Sequence, residues 1–280
     1  MLGVRLRPLI GQQRMDRSGI RRQDCGQSAE HIGSFFSMLS AELGFYLGSA
    51  ALHSKLTKQG VTLCFPTPAP ADSGRQTCTN LVDISLAITA GKAVTGNDLQ
   101  ADGKNLFFIT GANQGGKSTF LRAVGLAQTM MQCGMFVTAD AFSAALCRNV
   151  FTHFTREEDV TMKSGKFDEE LRRMTAIIDG LTPDSMILFN ESFASTNERE
   201  GSEIASQIVC ALLETKVKIF FVTHLYELAN AFYQEGLDNA VFLRAERQTD
   251  GRRTFKLLPG QPLETSFGSD LYKEIFAGAA

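Results

Sequence analysis

The stretch Leu106-Phe107-Phe108-Ile109-Thr110-Gly111-Ala112-Asn113-Gln114-Gly115-Gly116-Lys117-Ser118-Thr119 decides the fold. It opens as an apolar run of the length of one buried strand. It then becomes G-x-x-x-x-G-K-S, and the spacing that follows, from Ser118 to Cys133, is helical. A strand that turns through glycines into a helix is the setting a phosphate-binding loop requires. Glycines let the backbone curl so that successive N–H groups point inward, and the helix N-terminus adds positive potential. Lys117 supplies a mobile charge for the β- and γ-phosphates, and the Ser118 hydroxyl a ligand for Mg²⁺. The motif therefore predicts that Gly111 to Thr119 hold ATP or ADP with Mg²⁺.

Two further strand ends support that reading. Met186-Ile187-Leu188-Phe189 runs into Asn190-Glu191-Ser192. ATPases with such a loop place an acid at this strand end to hold Mg²⁺ through water, often followed by a glutamate that activates water. Glu191 fits the base. Asn190 stands where the metal-holding Asp is expected; its amide oxygen can accept a hydrogen bond but brings no charge, which predicts weaker Mg²⁺ binding or slower turnover. Phe220-Phe221-Val222 ends in Thr223-His224, which makes His224 a candidate to sense the γ-phosphate or orient the attacking water.

Around these motifs, short apolar runs alternate with helical periods such as Glu203 to Glu214. Such alternation predicts an α/β layered sheet with parallel strands. Upstream, Pro66, Pro68 and Pro70 with Gly60 and Gly74 mark a connection. Before it, Ile32, Phe35, Phe36, Leu39, Leu43, Tyr46, Leu47 and Ala50 recur at helical steps, which predicts one long helix over 29–59 capped by Ser28. Residues 1–28 carry six arginines and two aspartates with few apolar residues. They read as a loose basic end, or alternatively as a basic arm for nucleic acid.

The chain has 280 residues, 44% of them hydrophobic, with a net charge of −2. This excludes a wholly disordered chain and a uniformly basic nucleic-acid binder. No unbroken apolar run reaches bilayer length, and Met1 to Ser28 lacks the apolar core of a secretory signal. The six cysteines show neither C-x-x-C pairs nor zinc spacing, which predicts reduced thiols and a cytoplasmic protein. Met130, Met131 and Met135 read as core filler, and the arginines from Arg244 to Arg253 as a hairpin around Gly251. His153 and Arg156 read as surface residues or phosphate contacts.

G-A-N-Q-G-G-K-S-T-F from Gly111, N-E-S-F-A-S-T-N-E-R-E-G from Asn190 and F-F-V-T-H from Phe220 together resemble the C-terminal ATPase of the MutS family of DNA mismatch repair proteins. The resemblance covers about Thr79 to Phe276. It implies a P-loop NTPase of ABC-ATPase type, with a mixed or parallel sheet flanked by helices. Residues 29–59 would be the end of a lever helix and 60–280 the ATPase domain. It further implies a homodimer in which Ser164, within Asp159 to Lys166, reaches the γ-phosphate of the partner copy. Thr196 and Asn197 would line the interface, and Ser266-Phe267-Gly268 resembles the family's Ser-Tyr-Gly. Arg244 falls where the family contacts the base.

The departures are as informative. Val94 stands where the family has an aromatic stacked on adenine, and the acidic Phe167-Asp168-Glu169-Glu170 follows the signature Ser-Gly. The mismatch reader and clamp of the family would lie upstream of this sequence, so the chain reads as a fragment of a larger protein or as a reduced member working with partners. The expected function is an ATPase coupled to DNA, its DNA contacts lying upstream and no membrane involved. A nucleotide-gated dimerisation scaffold without useful turnover is the rival. An ABC transporter subunit fits less well, since its Leu-Ser-Gly-Gly-Gln signature is absent.

Overall fold

A computed structural model describes residues 9–91, 94–155, 165–248 and 250–264, with side chains from residue 27 onward within those ranges. The chain divides into two compact units, Met1–Ser54 and Lys55–Ala280.

The described residues of the first unit are helical. Helix α1 (Leu9–Lys58) spans 50 residues, so Ser28 lies inside it and is not its cap. The helical segment starts about twenty residues earlier than its apolar period suggests. The reason is that Arg and Gln, which dominate the earlier stretch, are good helix formers without an apolar stripe. Ile32, Phe35, Phe36, Met38, Leu43, Tyr46 and Leu47 are all exposed. Gln27–Lys58 is one helix long and apolar enough, by length and composition, to cross a membrane. The serines and glycines that interrupt it as an unbroken run do not remove that overall apolarity. The helix ends in a Schellman turn: Val61 N–H donates to Leu56 C=O at 3.1 Å and Gly60 N–H to Thr57 C=O at 3.0 Å. Gly60, at φ 75°, adopts the left-handed conformation this ending needs.

The second unit is an α/β layered domain. A four-stranded sheet is formed by β1 (Thr67–Ala69), β2 (Gln76–Leu81), β3 (Asn97–Gln100) and β5 (Ala141–Ala145), in the order β1-β5-β2-β3. Pro68 is tolerated in β1 because that strand is an edge. The six-stranded sheet has the order β10-β9-β4-β8-β7-β6. It comprises β4 (Leu106–Gly111), β6 (Val150–Phe154), β7 (Met186–Asn190), β8 (Lys218–Val222), β9 (Ala240–Arg247) and β10 (Arg253–Pro259). Strands β6, β7, β8, β4 and β9 run parallel, and only β10 is antiparallel to its neighbour. The sheet is therefore mixed.

Alternation along the strands builds two cores. Phe107 and Ile109 of β4, with Leu188, Phe220 and Val222, face helix α3 (Lys117–Gln132) through Phe120, Leu121 and Val124. Leu106 and Phe108 face the other way, toward helices α5 (Glu198–Glu214) and α6 (Tyr226–Glu235), and meet Val209, Leu212, Leu228 and Phe232. Helix α2 (Ile84–Ala90) follows β2, and helix α4 (Lys166–Gly180) lies between β6 and β7 in sequence. Parallel register puts the C-terminal ends of β4, β7 and β8 side by side, Ile109 opposite Val222 and Val222 opposite Asn190. All three motifs lie at this edge. Met131 is buried and Met130 packs on the same core.

Candidate functional site

The turn from β4 into α3 is shaped by glycines where a side chain cannot fit. Gly111 has φ 101°, and a Cβ there would stand 3.0 Å from the Ala245 nitrogen. At Gly115 a Cβ would come within 2.8 Å of Ala112 O and 2.6 Å of Ala245 Cβ. The loop therefore closes on its own backbone and on β9. Lys117 opens α3 and is 5% exposed. Its Nζ donates to Gly111 O at 3.0 Å and Ala112 O at 3.2 Å and lies 3.4 Å from His224 Nε2. Burial holds its ammonium below the ordinary lysine range, Glu191 partly opposes this, and Arg253 adds to it.

The next residue joins the second strand end: Ser118 Oγ donates to Asn190 Oδ1 at 2.7 Å. Glu191 follows at φ 54°. Its Oε2 accepts from His224 N–H at 3.1 Å, and its Oε1 lies 3.1 Å from His224 Nε2. Lys117, Ser118, Glu191 and His224 thus line one cavity of about 600 Å³, together with Asn113, Gln114, Gly115, Gly116 and Thr119. Asn190 reaches that cavity's wall through Ser118.

The apolar lining of the cavity comes from Leu81, Leu86, Ala90, Val94, Phe120 and Phe255. Arg244 is not among the residues lining this cavity. It pairs with Thr110 in the parallel β4–β9 ladder, and its guanidinium lies toward Gly260. Phe255, which lines the cavity, approaches Gly116, where a Cβ would stand 3.5 Å from the Phe255 Cβ. The β9–β10 pairing slips between Arg253 and Leu257, and Phe255 sits in that irregularity at φ 61°, half exposed. Such bulges re-aim side chains. Buried Asn97 secures it from both sides: its Nδ2 donates to Phe255 O at 3.1 Å, and its Oδ1 accepts from Leu257 N–H at 2.7 Å. The sequence shows a hairpin here but carries no local sign of the slip that turns Phe255 inward.

Other expectations resolve as follows. His153 is fully buried on β6, with Nδ1 2.7 Å from Ser192 Oγ and Nε2 3.0 Å from Glu170 O. It is therefore a core residue and not a surface contact. Burial lowers its pKa. Asn197 caps α5, accepting from Glu200 N–H at 3.0 Å, while Thr196 Oγ1 donates to Glu200 at 2.8 Å. Ser164, Arg156 and the Ser266-Phe267-Gly268 motif lie outside the described residues.

The molecule is thus an α/β protein with a mixed sheet flanked by helices, whose glycine-rich strand–helix turn and two neighbouring strand ends share one cavity. The family described as MutS domain V matches residues 107–275, and MutS2 N-terminal domain matches residues 22–59. The chain belongs to the MutS family. It is 31% identical over 189 residues to MutS protein homolog 4 of Homo sapiens, covering 65% of this chain and 20% of that protein. It is 32% identical over 191 residues to the DNA mismatch repair protein MutS of Lactobacillus helveticus, covering 66% and 22%. It is 34% identical over 169 residues to the endonuclease MutS2 of Thermus thermophilus, covering 59% and 22%. The chain therefore spans about a fifth of the length of these relatives.

Proposed function

We propose that this chain is the ATPase part of a MutS-like protein, a P-loop domain of ABC type that binds and hydrolyses Mg-ATP at a dimer interface and couples this to a DNA transaction. The single observation that carries the reading is the convergence of Lys117, Ser118, Glu191 and His224 on one cavity from three parallel strand ends. The relatives named for mismatch repair support the DNA setting.

The phosphates enter over the N-terminus of α3, where the loop N–H groups and Lys117 receive them. Lys117 exchanges its two carbonyl partners for phosphate oxygens, which adds to the counter-charge that Glu191 gives its buried ammonium. The residues present fit Mg²⁺. Ser118 Oγ and Asn190 Oδ1, 2.7 Å apart, would together hold the ion, Ser118 through its hydroxyl and Asn190 through metal-bound water. Both are neutral oxygens, so the ion would be held mainly by phosphates and water. Mg²⁺ supplies charge neutralisation of the developing phosphate oxygens. Glu191 acts on water as base once it releases His224, and His224, within reach of both Glu191 and Lys117, orients that water or senses the γ-phosphate. Phe255 covers the adenine that Val94 cannot stack on.

The partner copy completes each site with Ser164, and the α1 end of the chain leads toward the DNA-contacting regions, in a cytoplasmic protein. The rival reading is an ATP-gated scaffold, and the neutral Asn190 favours it. Steady-state hydrolysis separates them. Lys117→Ala is expected to lose ATP binding, whereas Glu191→Gln keeps binding and loses turnover. Absence of turnover in the wild-type chain, with its mass doubled by bound ATP, would establish the scaffold instead.

A further inference from the structure

Glu170 belongs in sequence to an acidic stretch, but the fold separates it from its neighbours. Asp168 and Glu169 lie in the first turn of α4, where carboxylates complement the helix dipole. Glu170 is 1% exposed. A buried carboxylate needs donors, and both of its donors come from one place. Phe193 N–H donates to Oε2 at 3.0 Å, and Ser195 Oγ donates to Oε1 at 2.9 Å. These residues form the turn that leaves Glu191.

That turn is held in an unfavourable shape. Glu191 and Phe193 both have positive φ, 54° and 64°, a conformation that persists in non-glycine residues only where the surroundings impose it. The surroundings do so from three elements. From β6, His153 Nε2 donates to Glu170 O at 3.0 Å, its Nδ1 meets Ser192 Oγ at 2.7 Å, and its ring stacks on Phe193 at 5.3 Å. From α5, Gly201 approaches so closely that a Cβ would stand 2.4 Å from Phe193 O. From α4 comes the Glu170 carboxylate. Helix α4 begins at Lys166, immediately after Gly165.

We propose that Glu170 is a positioning residue for Glu191: its carboxylate holds the turn of residues 191–195 and ties it to α4. The catalytic part of this inference rests on the hydrolytic reading above. A shift of α4 moves both carboxylate oxygens at once, and with them the turn that carries Glu191. The coupling runs through two hydrogen bonds and does not require Glu170 to touch nucleotide.

The test separates the mechanical claim from the catalytic one. In Glu170→Met, which keeps the volume and removes both acceptors, amide exchange at Phe193 is expected to rise at least tenfold while exchange in β4 and β8 stays unchanged. Glu170→Gln keeps an acceptor for Phe193 N–H and an NH₂ for the rotatable Ser195 hydroxyl, and is expected to restore slow exchange. With ATP, Glu170→Met is expected to lower kcat about 10- to 100-fold with nucleotide affinity within twofold of wild type, and Glu170→Gln to recover it to within about threefold. Unchanged Phe193 exchange in Glu170→Met overturns the proposal whatever the ATPase result. Accelerated exchange with undiminished kcat overturns its catalytic part. A wild-type chain without turnover overturns the hydrolytic reading and that catalytic part together, while the exchange result still decides whether Glu170 holds the turn.

Discussion

Replacing Phe255 with glycine separates nucleotide affinity from stability, which makes it a sharp test of the part Phe255 plays in the cavity. Phe255 is 49% exposed and has φ 61°. Full burial of a Phe side chain is worth about 1.5–3 kcal/mol, so half of it contributes about 1 kcal/mol. A non-glycine residue in the left-handed region costs about 1–3 kcal/mol, which glycine relieves, less about 0.5–1 kcal/mol for its extra unfolded-state freedom. The sum is close to zero, so the denaturation midpoint should barely move. Phe255→Ala keeps the strain and loses the burial, and should cost about 1 kcal/mol. Affinity behaves differently. Stacking of a base on an aromatic ring is worth about 1–3 kcal/mol, which corresponds to roughly 5- to 150-fold weaker ATP binding in either variant. Tripolyphosphate, which lacks the base, should bind all three proteins alike. Competition against a fluorescent nucleotide gives the affinities, and urea unfolding gives the stabilities. ATP affinity within twofold of wild type in Phe255→Gly, or an equal loss for tripolyphosphate, would refute the assignment of Phe255 to the base.

Asn190→Asp should lower the Mg²⁺ concentration for half-maximal turnover about tenfold, because it restores a charge next to Ser118; a Mg²⁺ titration of hydrolysis checks this. Lys218 is buried, donates to Arg75 O and Gln76 Oε1 at 3.1 and 2.9 Å, and has its pKa lowered by burial. Between that lowered value and the ordinary 10.5 the unfolded chain binds the additional proton, so stability rises with pH in this window. Lys218→Met should flatten that rise, as read from urea midpoints between neutral pH and pH 10. Phe108, fully buried between Phe221, Phe232 and Phe242, should cost about 3–5 kcal/mol when replaced by Ala, seen as a lowered Tm.

The parts of the site that the sequence announces are those whose physics is local. Gly111 to Ser118 is a contiguous run whose backbone conformation follows from its own glycines, and Asn190, Glu191 and His224 each close an apolar strand. Parallel pairing then brings them together with no further information. The polar half of α1 was not legible, because a helix without an apolar stripe leaves no period to read. Phe255 was hidden for a different reason. Its direction depends on a slip in the β9–β10 ladder and on Asn97, more than a hundred and fifty residues away in the sequence. His153 and Glu170 look like surface charges in sequence, and only the packing of β6, α4 and the turn after Glu191 shows them as buried partners.

The strand order also bears on how the chain is made. Strand β4, every residue of which is buried, is flanked by β8 and β9, which begin at Lys218 and Ala240. A ribosome working at about 5–20 residues per second needs on the order of 5–20 s to supply the roughly one hundred residues between β4 and its first neighbour. For that interval Leu106-Phe107-Phe108-Ile109 is outside the tunnel with both edges unpaired, the kind of segment that seeks other chains. The nascent domain is thus a natural client for holding chaperones, and slow codons placed before β8 would lengthen its exposure and lower the yield of folded protein.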